Sequence, residues 1–98
     1  MTIETKRADK ELTVALFGRL DAITAPTLEK TIGENIADVE KLILDLKGLE
    51  YISSAGLRVV LNAQKKMQLV GEMKVINVCE EVMEVFEITG FVDILTIA

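Results

Sequence analysis

The apolar positions of the chain follow two different periods, and the changes between them predict the order of its elements. Leu12, Val14 and Leu16 alternate with other residues, which is typical of a strand with one buried face. Residues 2–6 are predicted to form an edge strand that pairs with it as an antiparallel hairpin. Gly18 is predicted to end the second strand of this hairpin.

A four-residue period then predicts the first helix. Leu28, Ile32 and Ile36 form one apolar stripe, which we expect to face the core. Pro26 suits the first helical turn, where its missing N–H group costs little. Thr24 is the predicted N-cap of this helix.

The middle of the chain is predicted to contain a buried strand followed by a longer helix. The apolar run at residues 41–46 indicates a strand buried on both faces, which Lys47-Gly48 is predicted to break. The helix is predicted from about Ala55 to Val70, and Gly71 stops it. Its predicted inward-facing residues are Leu57, Val60, Leu61, Ala63, Met67 and Val70, and its predicted outward-facing residues are Arg58, Gln64, Lys65 and Gln68.

The last third of the chain repeats this order of a strand followed by a helix. Residues 73–78 predict another strand, and Glu80 and Glu81 suit the first turn of a third helix that ends before Gly90. Residues 91–97 are predicted as a last short strand or an apolar tail. Strand–helix–strand connections imply parallel neighbouring strands with right-handed crossovers.

The predicted fold is therefore of the α/β class. A chain of 98 residues is long enough for one domain with a modest core, so we expect a single domain over residues 1–98. Its sheet is predicted to be mixed, with four to five strands that form an N-terminal antiparallel hairpin followed by parallel strands. Three to four helices are expected to pack on this sheet.

Composition argues against several classes of function. A net charge of −5 disfavours nucleic-acid binding, which needs clustered Lys and Arg. His is absent and Cys79 is the single cysteine, so we predict no zinc site, no His-activated nucleophile and no cofactor. The chain has no hydrophobic export segment and no apolar run of about 20 residues, so we expect a cytoplasmic protein without membrane insertion.

The candidate chemistry lies in Ser53-Ser54-Ala55-Gly56, between the buried strand and the second helix. A hydroxyl at a helix N-terminus can cap the helix or carry a phosphate, because backbone N–H groups converge there. The residues alone favour capping for Ser54, since serine is a preferred N-cap residue. Gly56 is expected to keep the surface beside the hydroxyl low, within reach of a kinase.

Three stretches together resemble the STAS family, the sulfate transporter and anti-sigma factor antagonist domains. They are FGRLDAITAPTLEK, LILDLKGLEYISSAGLRVVL and VMEVFEITGFVDILTI, and their order and spacing match over nearly the whole chain. The stand-alone length resembles the bacterial anti-sigma factor antagonists. Two positions depart from the pattern of many antagonists, because Ser53 replaces an Asp and Ala55 replaces a Ser or Thr.

The resemblance implies a phosphorylation-switched binding module. In that branch the unmodified antagonist binds an anti-sigma factor that is also a serine/threonine kinase, which frees the sigma factor. The kinase phosphorylates the antagonist, and a serine phosphatase reverses the modification. The implied phosphoacceptor is Ser54, with Ser53 as the alternative, in a protein that is a monomer or weak dimer. The implied partner-binding residues are Asp21, Thr24, Ser53, Ala55, Gly56 and Arg58.

The sequence leaves two alternative functions to consider. The chain could be a STAS subunit of another assembly, such as a lipid-transport complex or a stress-signalling scaffold, in which Ser54 is only a contact residue. It could also hydrolyse a nucleotide, but it has no GxxxxGK[ST] motif, no His and no recognisable pair of carboxylates for acid–base catalysis. We therefore predict that the protein is not an enzyme.

Overall fold

The computed structural model describes residues 1–98, which form four strands and three α-helices. In chain order the elements are β1 (Thr2–Ala8), β2 (Glu11–Leu20), α1 (Ala25–Asn35), β3 (Lys41–Ile52), α2 (Ser54–Val70), β4 (Glu72–Ile76) and α3 (Glu80–Thr89). The sheet order is β1-β2-β3-β4, with β1 antiparallel to β2 and the other neighbours parallel. This arrangement confirms the predicted mixed sheet with an N-terminal hairpin.

Strands β2 and β3 run further than the sequence predicted. Gly18 and Lys47-Gly48 were predicted to end strands, yet both lie inside the β2–β3 ladder, which shifts register between Ala15 and Phe17 and between Gly18 and Arg19. A side chain at position 48 would collide with the Phe17 ring, so this glycine permits an irregularity in the pairing. Because β3 extends to Ile52, it ends directly before the N-cap of α2.

All three helices lie on one face of the sheet. Both parallel connections advance in the same direction across the sheet, and right-handed crossovers then place α1 and α2 on one side. Helix α3 follows the last strand, and its Val82 and Phe86 belong to the same core. A single core of 23 buried residues joins Leu12 and Leu44 from the strands, Leu28 from α1, Met67 from α2 and Phe86 from α3. The opposite face of the sheet carries no helix.

The buried side of α2 is shifted from the predicted one. Val59 and Gln64 are buried, whereas Leu61 is half-buried and Val70 is 58% exposed. The predictions for Gln64 and Val70 were wrong, and Leu61 is only partly buried. Helix α2 packs on both the sheet and α1, which brings Val59 and Gln64 inside. Val70 is the last residue of the helix.

The chain ends beside β4. A short 3-10 helix spans Phe91–Asp93, and Ile97 then forms an isolated parallel bridge with Val75. The predicted last strand is therefore reduced to one bridge at the sheet edge. No helix of the protein combines the length and the apolar character that crossing a membrane requires.

Candidate functional site

The candidate site lies at the edge of the sheet where β2 and β3 end. Their last residues, Leu20 and Ile52, are partners in the parallel ladder, so the segments that follow them leave the same edge. The amide of Ser53 donates a 2.9 Å hydrogen bond to the carbonyl of Leu20. The turn before α1 and the start of α2 therefore lie side by side.

The two serines at this edge have different environments. Ser53 is the N-cap of α2, with φ −96° and ψ 176°, and its half-buried hydroxyl accepts a 3.4 Å hydrogen bond from the amide of Gly56. Ser54 is the first helical residue, its side chain is exposed, and no hydrogen bond within the chain engages its hydroxyl. The capping role that the residues favoured for Ser54 is thus wrong, because Ser53 performs it.

Gly56 faces the core instead of the outer surface. A Cβ atom at this position would lie 2.7 Å from Cγ of Leu20 and 2.9 Å from Cγ1 of Ile52. The expectation that Gly56 lowers the surface beside the hydroxyl is therefore wrong. Glycine is needed here because the first turn of α2 packs tightly on the ends of two strands.

Asp21 and Thr24 build a closed turn before α1. Oδ1 of Asp21 accepts from the amides of Ile23 at 3.0 Å and Thr24 at 3.1 Å. The Thr24 hydroxyl accepts from the amide of Asp21 at 2.9 Å and donates to the carbonyl of Arg19 at 2.8 Å. Thr24 occupies the predicted N-cap position, but its side chain makes no capping bond to α1.

The same turn sets the charge of Asp21. The amide of Thr24 holds the pKa of this carboxyl below its usual value, against a smaller opposing effect of burial. The amide of Ile23, the Thr24 hydroxyl and the nearby Arg19 lower the pKa further. Asp21 therefore keeps its negative charge, and no hydrogen bond within the chain reaches its Oδ2 atom.

A shallow cleft joins the turn to α2. Ala22, Ala25, Pro26 and Glu29 line it on one side, and Ala55, Arg58 and Val59 line it on the other. Ala55 is half-buried, and Arg58 is exposed one helical turn beyond Ser54. Arg58 makes no ion pair within the chain. Of the predicted partner-binding residues, only Gly56 is buried away from this surface.

Two features of this edge were missed by sequence reasoning. Ile23 is 85% exposed at the tip of the Asp21–Thr24 turn, and the guanidinium of Arg19 lies 4.1 Å from the ring centroid of Tyr51. Ile23 had a signal in the sequence, because it is an isoleucine that belongs to no apolar stripe. The pairing of Arg19 with Tyr51 had none, since it depends on the β2–β3 register.

The start of α2 is suited to an added negative charge. Its first turn contains no acidic residue, and helix N-termini present unpaired N–H groups with a partial positive charge. An anion at Ser54 would meet these groups without displacing the Ser53 cap. No group of three or more His, Cys, Asp or Glu residues is placed to hold a metal ion.

Comparison with known proteins agrees with this architecture. BtrV of Bordetella bronchiseptica, assigned as an anti-sigma factor antagonist, is 38% identical, and the match covers all of this chain and 86% of BtrV. The anti-sigma-B factor antagonist of Staphylococcus aureus is 30% identical, with 97% of this chain and 90% of that protein covered.

A solved structure extends the likeness to three dimensions. The anti-sigma factor antagonist from Mycobacterium paratuberculosis superposes with a TM-score of 0.89 at 26% identity, over 98% of this chain and 83% of the other. The STAS domain model matches residues 2–98. Because this match spans nearly the whole chain, the chain belongs to the STAS family.

Proposed function

We propose that this protein is an anti-sigma factor antagonist whose binding to an anti-sigma factor kinase is switched off by phosphorylation of Ser54. The observation that carries the proposal is the division of labour between the two serines. Ser53 caps α2, whereas Ser54 is exposed with an unengaged hydroxyl. A kinase can thus modify Ser54 without removing a bond that the fold uses.

Electrostatics explains how one modification acts as a switch. Phosphorylation adds about 1.5–2 negative charges at neutral pH. The start of α2 tolerates this charge, because its N–H groups and partial positive charge favour an anion and its first turn is free of acidic residues. A partner surface packed against an uncharged serine does not tolerate it, since like or unpaired charges in an interface cost several kcal/mol.

The neighbouring residues complete the proposed partner-binding surface. Ala22 of the Asp21–Thr24 turn lines the same cleft as Ala55, which follows Ser54, and Arg58, which lies one helical turn beyond it. The protein acts in this scheme as a non-enzymatic binding module in the cytoplasm, as a monomer or weak dimer. A serine phosphatase returns it to the binding form.

A phosphorylation assay tests the site. The chain is incubated with ATP and each anti-sigma factor kinase from the same genome, and its intact mass is measured. We expect one phosphate on the wild type and on Ser53→Ala, and none on Ser54→Ala. Phosphate on Ser53 would contradict the assignment, and no phosphate with any kinase would favour a STAS subunit of another assembly.

A binding assay tests the switch. Ser54→Asp carries a negative charge at the proposed site, and Ser54→Asn is the matched neutral control. We expect Ser54→Asp to lose at least about 100-fold in affinity for the kinase, equivalent to about 2.7 kcal/mol. Ser54→Asn should lose much less. Equal binding by Ser54→Asp and the wild type would refute the switch.

A further inference from the structure

Ile23 is exposed without any evident structural reason. Its side chain is 85% exposed and contributes nothing to the core, although the core of the protein is built of such aliphatic residues. Single exposed apolar residues are common and need no explanation by themselves. Ile23 differs because of how it is held and what lies beside it.

The Asp21–Thr24 turn holds Ile23 rigidly. Its own amide donates to Oδ1 of Asp21 at 3.0 Å, and the carbonyl of Asp21 accepts a 2.8 Å bond from the amide of Ala25. The Thr24 hydroxyl ties the turn back to Arg19 at 2.8 Å. A β-branched side chain on such a backbone has few rotamers to lose, so burying it in a partner costs little conformational entropy.

The surroundings of Ile23 match the anatomy of an interface centre. The exposed Ala22 and Pro26 lie beside it, and the charged side chains of Glu29 and Arg58 line the adjacent cleft. An apolar anchor within a polar rim is the usual arrangement of the residues that dominate binding energy. The cleft between α1 and α2 brings Ala22 and Pro26 beside Ala55 and Arg58, and Ala55 directly follows Ser54 in the chain.

We propose that Ile23 is the apolar anchor of the complex, inserted into a hydrophobic pocket of the anti-sigma factor kinase. The inference rests on the function proposed above, because it takes the kinase as the occupant. Asp21 and Thr24 are then positioning residues, which present Ile23 at a set distance from Ser54. The anchor supplies affinity in the unmodified state, and phosphorylation of Ser54 opposes it.

A matched pair of substitutions tests the anchor. Leu69 is 86% exposed, but it lies fifteen residues along α2 from Ser54, which is about 22 Å at the helical rise. The dissociation constant of the unmodified chain for the kinase is measured by calorimetry for the wild type, Ile23→Ala and Leu69→Ala. We expect Ile23→Ala to raise it about tenfold or more and Leu69→Ala to change it less than about twofold.

Phosphorylation kinetics separate the anchor from the switch. Ile23→Ala should raise KM for the chain as kinase substrate, while Ser54 is still fully modified at saturating concentration. Ile23→Leu should bind more tightly than Ile23→Ala, because it restores apolar volume. Thermal melting should show the same Tm for the wild type and Ile23→Ala, since the side chain lies outside the core.

Three other outcomes would contradict the proposed role of Ile23 as an anchor. Unchanged affinity of Ile23→Ala, with Ser54 still phosphorylated, refutes it and leaves the proposed function intact. Self-association of the wild type that Ile23→Ala abolishes, with kinase binding unaffected, would assign the patch to a second copy of the chain. If no kinase from the same genome binds or modifies the wild type, the proposed function fails and the anchor fails with it.

Discussion

Helices α2 and α3 begin in similar places but with opposite chemistry. Each follows a strand of the parallel part of the sheet, and each N-cap has an extended backbone. Residues 53–56, Ser-Ser-Ala-Gly, start α2, and residues 79–82, Cys-Glu-Glu-Val, start α3. The first helix start has a hydroxyl cap and no acidic residue, and the second has no side-chain cap and two acidic residues in its first turn.

The difference shows which helix start is free to accept a charge. In α3 the carboxylates of Glu80 and Glu81 already complement the partial positive charge of the helix end. In α2 this charge is unopposed, and the exposed Ser54 stands directly beside it. The fourth residues of these two segments also differ, because Gly56 lets α2 approach the strands, whereas Val82 fills the core beneath α3.

The largest effect is expected where α2 packs most closely. Gly56→Ala should lower the free energy of unfolding by about 1–3 kcal/mol, because its new Cβ atom collides with Leu20 and Ile52. Gly33→Ala in α1 is the matched control, and it should raise stability by about 0.5–1 kcal/mol because nothing lies near its Cβ position. Urea unfolding measures both, and equal effects would contradict close packing at Gly56.

The two serines provide the next test. Ser53→Ala should lose about 0.5–1 kcal/mol of stability through the lost cap, at the low end of the usual range because the bond is 3.4 Å long. Ser54→Ala should stay within about 0.5 kcal/mol of the wild type, since its hydroxyl is exposed and unbonded. Chemical denaturation distinguishes them, and a larger loss for Ser54→Ala would reverse the assigned roles.

Charge substitutions test the electrostatic contrast directly. Ser54→Asp should raise the free energy of unfolding by about 0.3–1 kcal/mol, whereas Glu81→Gln in α3 should lower it by a similar amount. Both effects should shrink when unfolding is repeated at 1 M salt, where the Debye length is about 3 Å. A destabilised Ser54→Asp would show that α2 does not tolerate the phosphate.

The smallest effect is expected at the turn before α1. Because the pKa of Asp21 lies below its ordinary value of 3.8 in the folded protein, its stabilising contribution is present above that value. It is lost as the pH falls through the folded pKa. Asp21→Asn should therefore differ from the wild type in urea unfolding at pH 6 and converge with it towards pH 2. A constant difference across this range would contradict the assigned cause.

Much of the fold could be predicted because its signals are local. The alternation around Leu12 and the four-residue stripe around Leu28 each report one buried face of one element. The predicted ends of β2 and β3 were wrong, because Gly48 acts through the Phe17 ring of the neighbouring strand. At the site, the resemblance proposed Ser54 with Ser53 as the alternative, and separating the capping Ser53 from the exposed Ser54 needed the helix start to be located to one residue.

The sequence by itself determined the order of the elements, the composition of the core and the position of two adjacent serines at the start of a helix. These properties follow from periodicity and residue type, which act over a few positions of the chain. Only the tertiary structure decided that Ser54 is exposed, that Gly56 is buried and that Ile23 lies near the same edge. Those facts depend on how β2 and β3 pair, which joins residues about thirty positions apart.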